Sequence, residues 1–274
     1  MMLIDKKPMQ LIDQFLFEYN NINRIDINES KEKIKNLIKY HKGDKNQRIN
    51  LKYLIELENI WYAALDKNLI DYSVYDHGDY FIDLFVCWVV YSRGYMKSIL
   101  KNSTISDGFS IYNLMGNINS IADFGCGIGY TTAALKEIFK CTVYGTNIKN
   151  TKQWYFCEYL SNKYGFNLID NNELKGIGKI DLIFASEYFE HIHDPLDHLE
   201  FIISELEPRY LIVANSFNTI SIGHFEKYIL KKNNKLIDQS EINKYFIKLL
   251  MSKGYIKLKT KLWNNRPNLY VKNQ

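Results

Sequence analysis

The sequence predicts an α/β protein: a mostly parallel seven-stranded sheet with helices on both faces, closed by a C-terminal hairpin and preceded by a helical cap. Three observations carry this. From Ile121 onward, short apolar runs alternate with amphipathic stretches of helical period, the pattern of βαβ units. The first apolar run breaks directly into Gly125, Gly127 and Gly129, and a helical pattern starts at Tyr130. Before residue 115 the apolar spacing is helical and no run reads as a strand. The division expected is 1–115 as a helical cap or lid and 116–274 as the ligand-binding domain.

The N-terminal helices follow from spacing. Met9 to Tyr19 is apolar at helical intervals, and Glu29 to His41 is a charged amphipathic helix stopped by Gly43. Leu51, Leu54, Ile55, Trp61, Ala64 and Leu65 share one face, with Asn50 as the expected cap. Tyr80 to Leu100 reads as a longer, more apolar helix, and Lys101 to Ser120, rich in Asn, Ser and Gly, as the connection. The expected strands are 121–125, 141–145, 168–169, 181–185, 210–214, 256–262 and 268–272. Helices fall between them, starting at Tyr130, at Asn150 with Gln153, at Asp194-Pro195, and at Asp238 with Glu241.

Composition narrows the function. In 274 residues the formal net charge is only +4 and the lysines are dispersed, so neither nucleic acid nor a membrane surface is an expected partner. The one basic stretch, Lys257 to Lys261, alternates as a solvated strand face would. Cys87, Cys126, Cys141 and Cys157 have no metal-ligand spacing and point to a reducing compartment. No signal pattern opens the chain, and the apolar run Tyr80 to Tyr91 is too short to span a bilayer, so a cytoplasmic location is expected. Asp83 is the odd polar residue in that run. It either bonds a backbone or hydroxyl group or faces a substrate.

A strand, a glycine turn and a helix start make a cradle for a nucleotide-like ligand. The spacing excludes two common ones. In a dinucleotide fingerprint the third glycine would fall at position 130, which is Tyr130, and no phosphate-loop lysine follows the turn. With Asp123 ahead of the first glycine, D-F-G-C-G-I-G resembles the first motif of class I S-adenosylmethionine (SAM) methyltransferases. The order of elements over about 155 residues resembles that Rossmann-like domain as a whole. The resemblance implies SAM as cofactor, with Asp123 orienting the loop or meeting the methionine amino group. Gly125, Cys126, Gly127 and Gly129 would line the methionine part. At the end of the second strand the family carries an acid for the ribose hydroxyls; here Asn147 stands instead, an amide without charge assistance. Asp170 or Asn171 would lie near the adenine amino group, or either is a turn residue.

The segment after the fourth strand, S-E-Y-F-E-H-I-H-D-P from Ser186 to Pro195, resembles the S-E-x-x-E-H-x-x-D-P of many small-molecule methyltransferases. Glu187 would lie beside the cofactor, and Tyr188 and Phe189 would cover the adenine or pack in the core. Glu187, Glu190 and His191, at i, i+3 and i+4, would share a helical face. With His224 they are similar to the metal site of small-RNA 3′-end 2′-O-methyltransferases and of ubiquinone-pathway O-methyltransferases, which implies Mg²⁺ or Mn²⁺ on the acceptor oxygens. The alternative is that Glu190 and His191 shape the loop and that His191 or His224 serves as general base. His193 and His198 read as exposed helix-start residues, His41 as a helix-end residue, and His77 as part of a loop or lid.

The function expected is O-methylation of a small polar metabolite: a sugar, sugar nucleotide, surface-glycan precursor or phosphate ester. The catalytic residues expected are His191, His224 and Glu187. One alternative is metal-dependent RNA or nucleotide 2′-O-methylation, which would want a concentrated basic surface. Another is a SAM-binding sensor or partner subunit without catalysis. DNA amino-methylation is disfavoured because Ala185-Ser186-Glu187 stands where D-P-P-Y would be. The N-terminal helices would either enclose the small-molecule acceptor or form a homodimer contact.

Overall fold

The computed structural model describes residues 2–100, 113, 115–171, 173–231, 234–258 and 267–273. The expected connection over 101–112 and residues 259–261 of the basic stretch lie outside the described residues, as does the Asn50 side chain.

The first hundred residues are helical, as the spacing predicts. α1 (Pro8–Ile22) starts with proline at its first position, and α2 (Ile27–His41) is capped by the Asp26 carboxylate, which accepts from the Glu29 N–H at 3.0 Å. α3 (Lys52–Leu65) follows a 3-10 segment, Lys45–Leu51. The long apolar helix is one run in three parts: α4 (Gly78–Cys87), a π-helical turn (Trp88–Ser92) and α5 (Arg93–Leu100).

The second part alternates β1 (Ser120–Phe124), α6 (Tyr130–Phe139), β2 (Thr142–Asn147), α7 (Lys152–Tyr164), β3 (Asn167–Asp170), β4 (Leu182–Ser186), α8 (Pro195–Leu206) and β5 (Tyr210–Ala214). Then come β6 (Lys227–Leu230), β7 (Lys235–Asp238), α9 (Gln239–Ser252), β8 (Tyr255–Leu258) and β9 (Asn268–Lys272). Seven strands make one sheet in the order β3-β2-β1-β4-β5-β9-β8. β9 alone runs against its neighbours, inserted between β5 and β8 as the returning arm of the expected hairpin. Strand order reverses between β1 and β4, so the carboxyl ends of β1, β2 and β4 surround one crevice. Ile121 to Phe124 and all of β5 are buried, which is why these strands read as unbroken apolar runs.

Three local expectations shift. α7 is capped by Thr151, whose hydroxyl accepts from the Trp154 N–H, while Asn150 takes a positive φ of 64°. Asp194 precedes α8 but makes no side-chain cap; its carboxylate pairs with Lys231. β6 and β7 form a second, two-stranded sheet that the sequence conceals, because each strand buries a single residue, Tyr228 or Ile237.

Two apolar cores flank the sheet, and the N-terminal helices contribute to both. Phe15, Phe81 and Phe85 pack with Tyr130, Phe156 and Phe184 on one side. Leu57, Trp61 and Tyr80 pack with Phe124, Phe189 and Phe246 on the other. A buried carboxylate, Glu18 of α1, is satisfied by Tyr130 of α6 and by Lys163 of α7, so α1 is tied to the two helices behind the glycine turn. Among the described residues, no helix is long and apolar enough to cross a membrane.

Candidate active site

The glycine turn is held from below and from the side. Asp123 is 2% exposed, and its carboxylate accepts from the Thr132 hydroxyl of α6 at 2.6 Å. Burial pushes this carboxyl up to about 7, with the Thr132 hydrogen bond opposing. The loop's own N–H groups turn to β2: Gly125 N–H donates to Thr146 Oγ1 at 3.1 Å and Cys126 N–H to the Thr146 carbonyl at 3.0 Å. The Gly127 carbonyl accepts from the Asn147 amide at 2.8 Å and from the Cys157 thiol at 2.8 Å. Gly125 can only be glycine here: its φ is +65° and an added Cβ would stand 2.4 Å from Tyr188 Cδ2.

Asn147 therefore has a task that an acid could not perform. A carboxylate has no proton to give the Gly127 carbonyl. The amide also accepts from the Ile148 N–H at 2.8 Å, so it fixes the loop to the end of β2 while lining the crevice.

Three adjoining cavities run along the carboxyl edge of the sheet. The first, about 390 Å³, lies beyond β2 and β3 and is lined by Asn147, Asn171 and Tyr188, with Tyr72, Tyr75 and Tyr80 over it. The second, about 170 Å³, sits on Gly125, Cys126 and Gly127 beneath Leu84 and Trp88. The third, about 400 Å³, opens between His41, Cys87 and Tyr91 on the N-terminal side and Ser216, Thr219 and His224 on the other. Glu187 lines all three.

Of the sequence candidates, Gly125, Cys126, Gly127, Asn147 and Asn171 line this crevice, whereas Asp123, Gly129 and Asp170 lie behind it. Gly129 begins α6 with its Cα side against Cys157 and Phe166, and Asp170 accepts from the Lys149 N–H at 3.0 Å. Of the Asp170–Asn171 pair it is Asn171 that lines the crevice, and its Oδ1 is buried with no hydrogen-bond partner.

The expected helical face of Glu187, Glu190 and His191 does not form. Phe189–His191 is a single 3-10 turn, and Glu187, at φ +54°, stands outside it. The turn drives Glu190 inward to full burial, where its Oε1 accepts from the Ser216 N–H at 2.6 Å and its Oε2 has no partner. Burial, and then the neighbouring Glu187 carboxylate, raise the Glu190 carboxyl well above the usual range. One donor atom each from Glu187, Glu190 and His224 lies within 4.8 Å of the others. His191 is not part of this group. Its Nδ1 is 2.8 Å from Tyr75 Oη, and burial with the nearby His224 pushes its pKa well down against the pull of the Gly223 backbone. Burial lowers His224 as well, with the Thr219 carbonyl and Glu187 opposing.

Several site residues carry no sequence signal. Trp61 Nε1 donates to the His224 carbonyl at 2.8 Å, pinning the loop after β5 to α3. Gly223, at φ +82°, lets that loop approach: an added Cβ would lie 2.0 Å from Tyr75 Oη and 2.5 Å from His191 Nδ1. The Tyr72–Tyr80 segment is anchored at the start of α7, where Asp76 accepts from the Lys152 N–H at 2.7 Å and Gln153 donates to the Tyr75 carbonyl at 3.0 Å. His77, in that segment, is the N-cap of α4. Tyr188 lines the first cavity and bonds His198 Nε2 at 2.7 Å, whereas Phe189 is core. His198 is therefore half-buried rather than exposed, and burial lowers it to about 4. His193 stacks on Phe225 with ring centroids 4.7 Å apart.

The sheet order with its reversed β9, and a glycine turn at the switch point, define the class I methyltransferase architecture. The family model described as "Methyltransferase domain" matches residues 98–245, more than half of the chain, and the chain belongs to that family as a SAM-dependent methyltransferase. Among solved structures, human N-acetylserotonin methyltransferase in complex with SAM is similar at 14% identity, covering 72% of this chain and 55% of that one with a TM-score of 0.47. The SAH-bound Podospora anserina methyltransferase PaMTH1 is similar at 13% identity over 68% and 79%, TM-score 0.44. SAH-bound magnesium protoporphyrin IX methyltransferase from Synechocystis PCC 6803 is similar at 15% over 66% and 84%, TM-score 0.40. The chain spans 44% of the N-terminal domain of EvdMO1 and 39% of WbdD, under half of each. No curated protein matches it.

Proposed function

We propose that this methyltransferase transfers the methyl group of SAM to a hydroxyl of a neutral, polar small molecule, with Mg²⁺ or Mn²⁺ held by Glu187, Glu190 and His224. The observation that carries this reading is the convergence of those three donors around the buried, unpartnered Oε2 of Glu190. Two carboxylates and one imidazole suit a hard divalent cation, so the residues present fit such an ion. When bound, it would acidify the acceptor hydroxyl and hold its oxygen.

The chain's own groups prepare the site. His224 Nδ1–H donates to the Thr219 carbonyl at 2.7 Å, which leaves the Nε2 lone pair available. The Ser216 N–H fixes Glu190, and the glycine turn fixes the cofactor's methionine end. Catalysis is then chiefly alignment of acceptor oxygen, methyl carbon and sulfonium sulfur. Asn171 Oδ1 would accept from the adenine amino group, and Asn147 would meet the ribose. The N-terminal helices serve as the lid, because Tyr72, Tyr75, Tyr80 and Leu84 close over the crevice and exclude water.

The lining favours a neutral acceptor. Among the described residues no lysine or arginine lines the three cavities, and the third presents Tyr91, Ser92, Tyr95, Ser216, Thr219 and Ser221. A phosphate there would face Glu187 with no cationic side chain. A sugar or similar polyol is therefore preferred to a phosphate ester, and to a ribonucleotide chain.

The test is Mn²⁺ titration into protein saturated with S-adenosylhomocysteine (SAH), beside Glu190→Gln, with labelled-methyl transfer to a panel of neutral sugars and sugar phosphates. Micromolar Mn²⁺ binding lost in the variant, with transfer to the neutral set, is the expected result. Absence of Mn²⁺ binding in the intact protein overturns the metal assignment and leaves His224 as the base. Transfer only to the phosphates overturns the acceptor class.

A further inference from the structure

A second group of donors stands where the second and third cavities meet: His41 and Cys87 line the third, and Asp83 lines the second. His41 ends α2, and Asp83 and Cys87 lie four residues apart on α4, so both α4 side chains project from one face. One donor atom from each of the three lies within 4.8 Å of the other two. His41 Nδ1 is 3.0 Å from the Tyr91 hydroxyl, which orients the ring. Its Nε2 is buried and has no hydrogen-bond partner: Asp83 Oδ1 is 3.6 Å away, too far for a hydrogen bond yet close to the edge of a tetrahedral donor set. Asp83 is the carboxylate that the apolar helix has no packing reason to carry, and it faces His41. The helix widens into its π-turn directly after Cys87, an irregularity frequent at functional positions.

The geometry points to a zinc site formed by His41, Asp83 and Cys87 and open to the acceptor cavity. Imidazole, carboxylate and thiolate are a zinc donor set, softer than the Glu187, Glu190 and His224 group across the cavity. Binding would release the Cys87 thiol proton to solvent and form a Zn–S bond, with no change of oxidation state. Three protein donors leave one position, and the cavity supplies its occupant: water or an acceptor heteroatom. The cap helices would then contribute chemistry to the acceptor side, whatever becomes of the Mg²⁺ or Mn²⁺ assignment.

The experiment uses the full chain, made without a histidine tag, loaded with zinc and freed of excess by gel filtration, with metal measured by mass spectrometry. About one zinc per chain is expected. It should be lost in His41→Ala and Cys87→Ser, weakened in Asp83→Asn, and kept in Glu190→Gln. Cobalt loading should give a thiolate-to-cobalt charge-transfer band that Cys87→Ser removes. Circular dichroism and SAH affinity verify that the variants fold, and Asp83→Asn, which preserves shape, covers the case in which an alanine variant does not. No zinc in the intact protein overturns the proposal. So does zinc that survives both His41→Ala and Cys87→Ser, or that disappears only in Glu190→Gln.

Discussion

The two ends of the crevice are built in opposite ways. The glycine-turn end is local: β1, the turn, α6 and β2 are consecutive, and the contacts that hold the loop come from Thr132, Thr146, Asn147 and the nearby Cys157. The other end, the proposed acceptor site, is assembled from His41, Asp83, Cys87, Glu187, Ser216 and His224, which span most of the chain. A local site is specified by backbone torsions and survives changes elsewhere. An assembled site depends on every packing contact that brings its parts together, and so is where specificity can change without loss of cofactor binding.

The strongest way to break the local end is Gly125→Ala. The added Cβ meets Tyr188 at 2.4 Å on a backbone of positive φ, so roughly 100-fold weaker SAH binding is expected by calorimetry. Near-normal affinity would mean that the turn is far more plastic than its contacts imply. At the assembled end, Glu190→Gln should lower kcat by about 100-fold while SAH affinity changes less than about threefold. The fold should tolerate it, because burial and then Glu187 raise the Glu190 carboxyl well above its usual range and the amide keeps its shape without a charge to bury. A parallel loss of SAH affinity would show that the two ends are not separable.

Gly223→Ala probes the joint between the cap and the sheet. Its Cβ would collide with Tyr75 and His191, and a fall in Tm of roughly 5 °C is expected by calorimetric scan, with a rise in acceptor KM. Asn147→Asp should weaken SAH binding by only about tenfold, because one loop contact becomes a repulsion between two acceptors. If affinity improved instead, the ribose contact would outweigh the loop contact.

A different kind of effect is expected on pH dependence. Asp123 is raised in the folded protein to about 7, so its contribution is fully present below its unfolded value and is lost as pH rises through 7. Stability measured relative to Asp123→Asn should therefore decline between about pH 4 and 7 and level off above. His191 and His224 act in the other direction. Both are lowered, so their contribution is complete above about pH 6.5 and is lost as pH falls below it. Urea unfolding across this range in Asp123→Asn, His191→Gln and His224→Gln separates the two signs.

Legibility in the sequence follows the same division. β5 and α6 fall where the apolar runs and caps put them, because burial on both faces leaves an uninterrupted signal. The β6–β7 sheet was not legible, since each strand buries one residue and its pattern is mostly polar. Within the site, the alternating glycines were readable, whereas the place of His191 was misjudged. Spacing of i, i+4 implies a shared face only if the backbone is helical, and here it makes one 3-10 turn.

The amino-acid sequence by itself determined the strands of the large sheet and the glycine turn, because these rest on torsions and burial patterns confined to a few neighbouring residues, and the resemblance of its two motifs pointed to the class of cofactor and the family. Only the tertiary structure decided that Asn147 holds the loop, that Asn171 rather than Asp170 faces the crevice, that Glu190 is buried beside Glu187 and His224, and that His41, Asp83 and Cys87 meet. These depend on long-range packing, which places side chains from distant segments within a few ångströms and leaves no periodic trace along the chain.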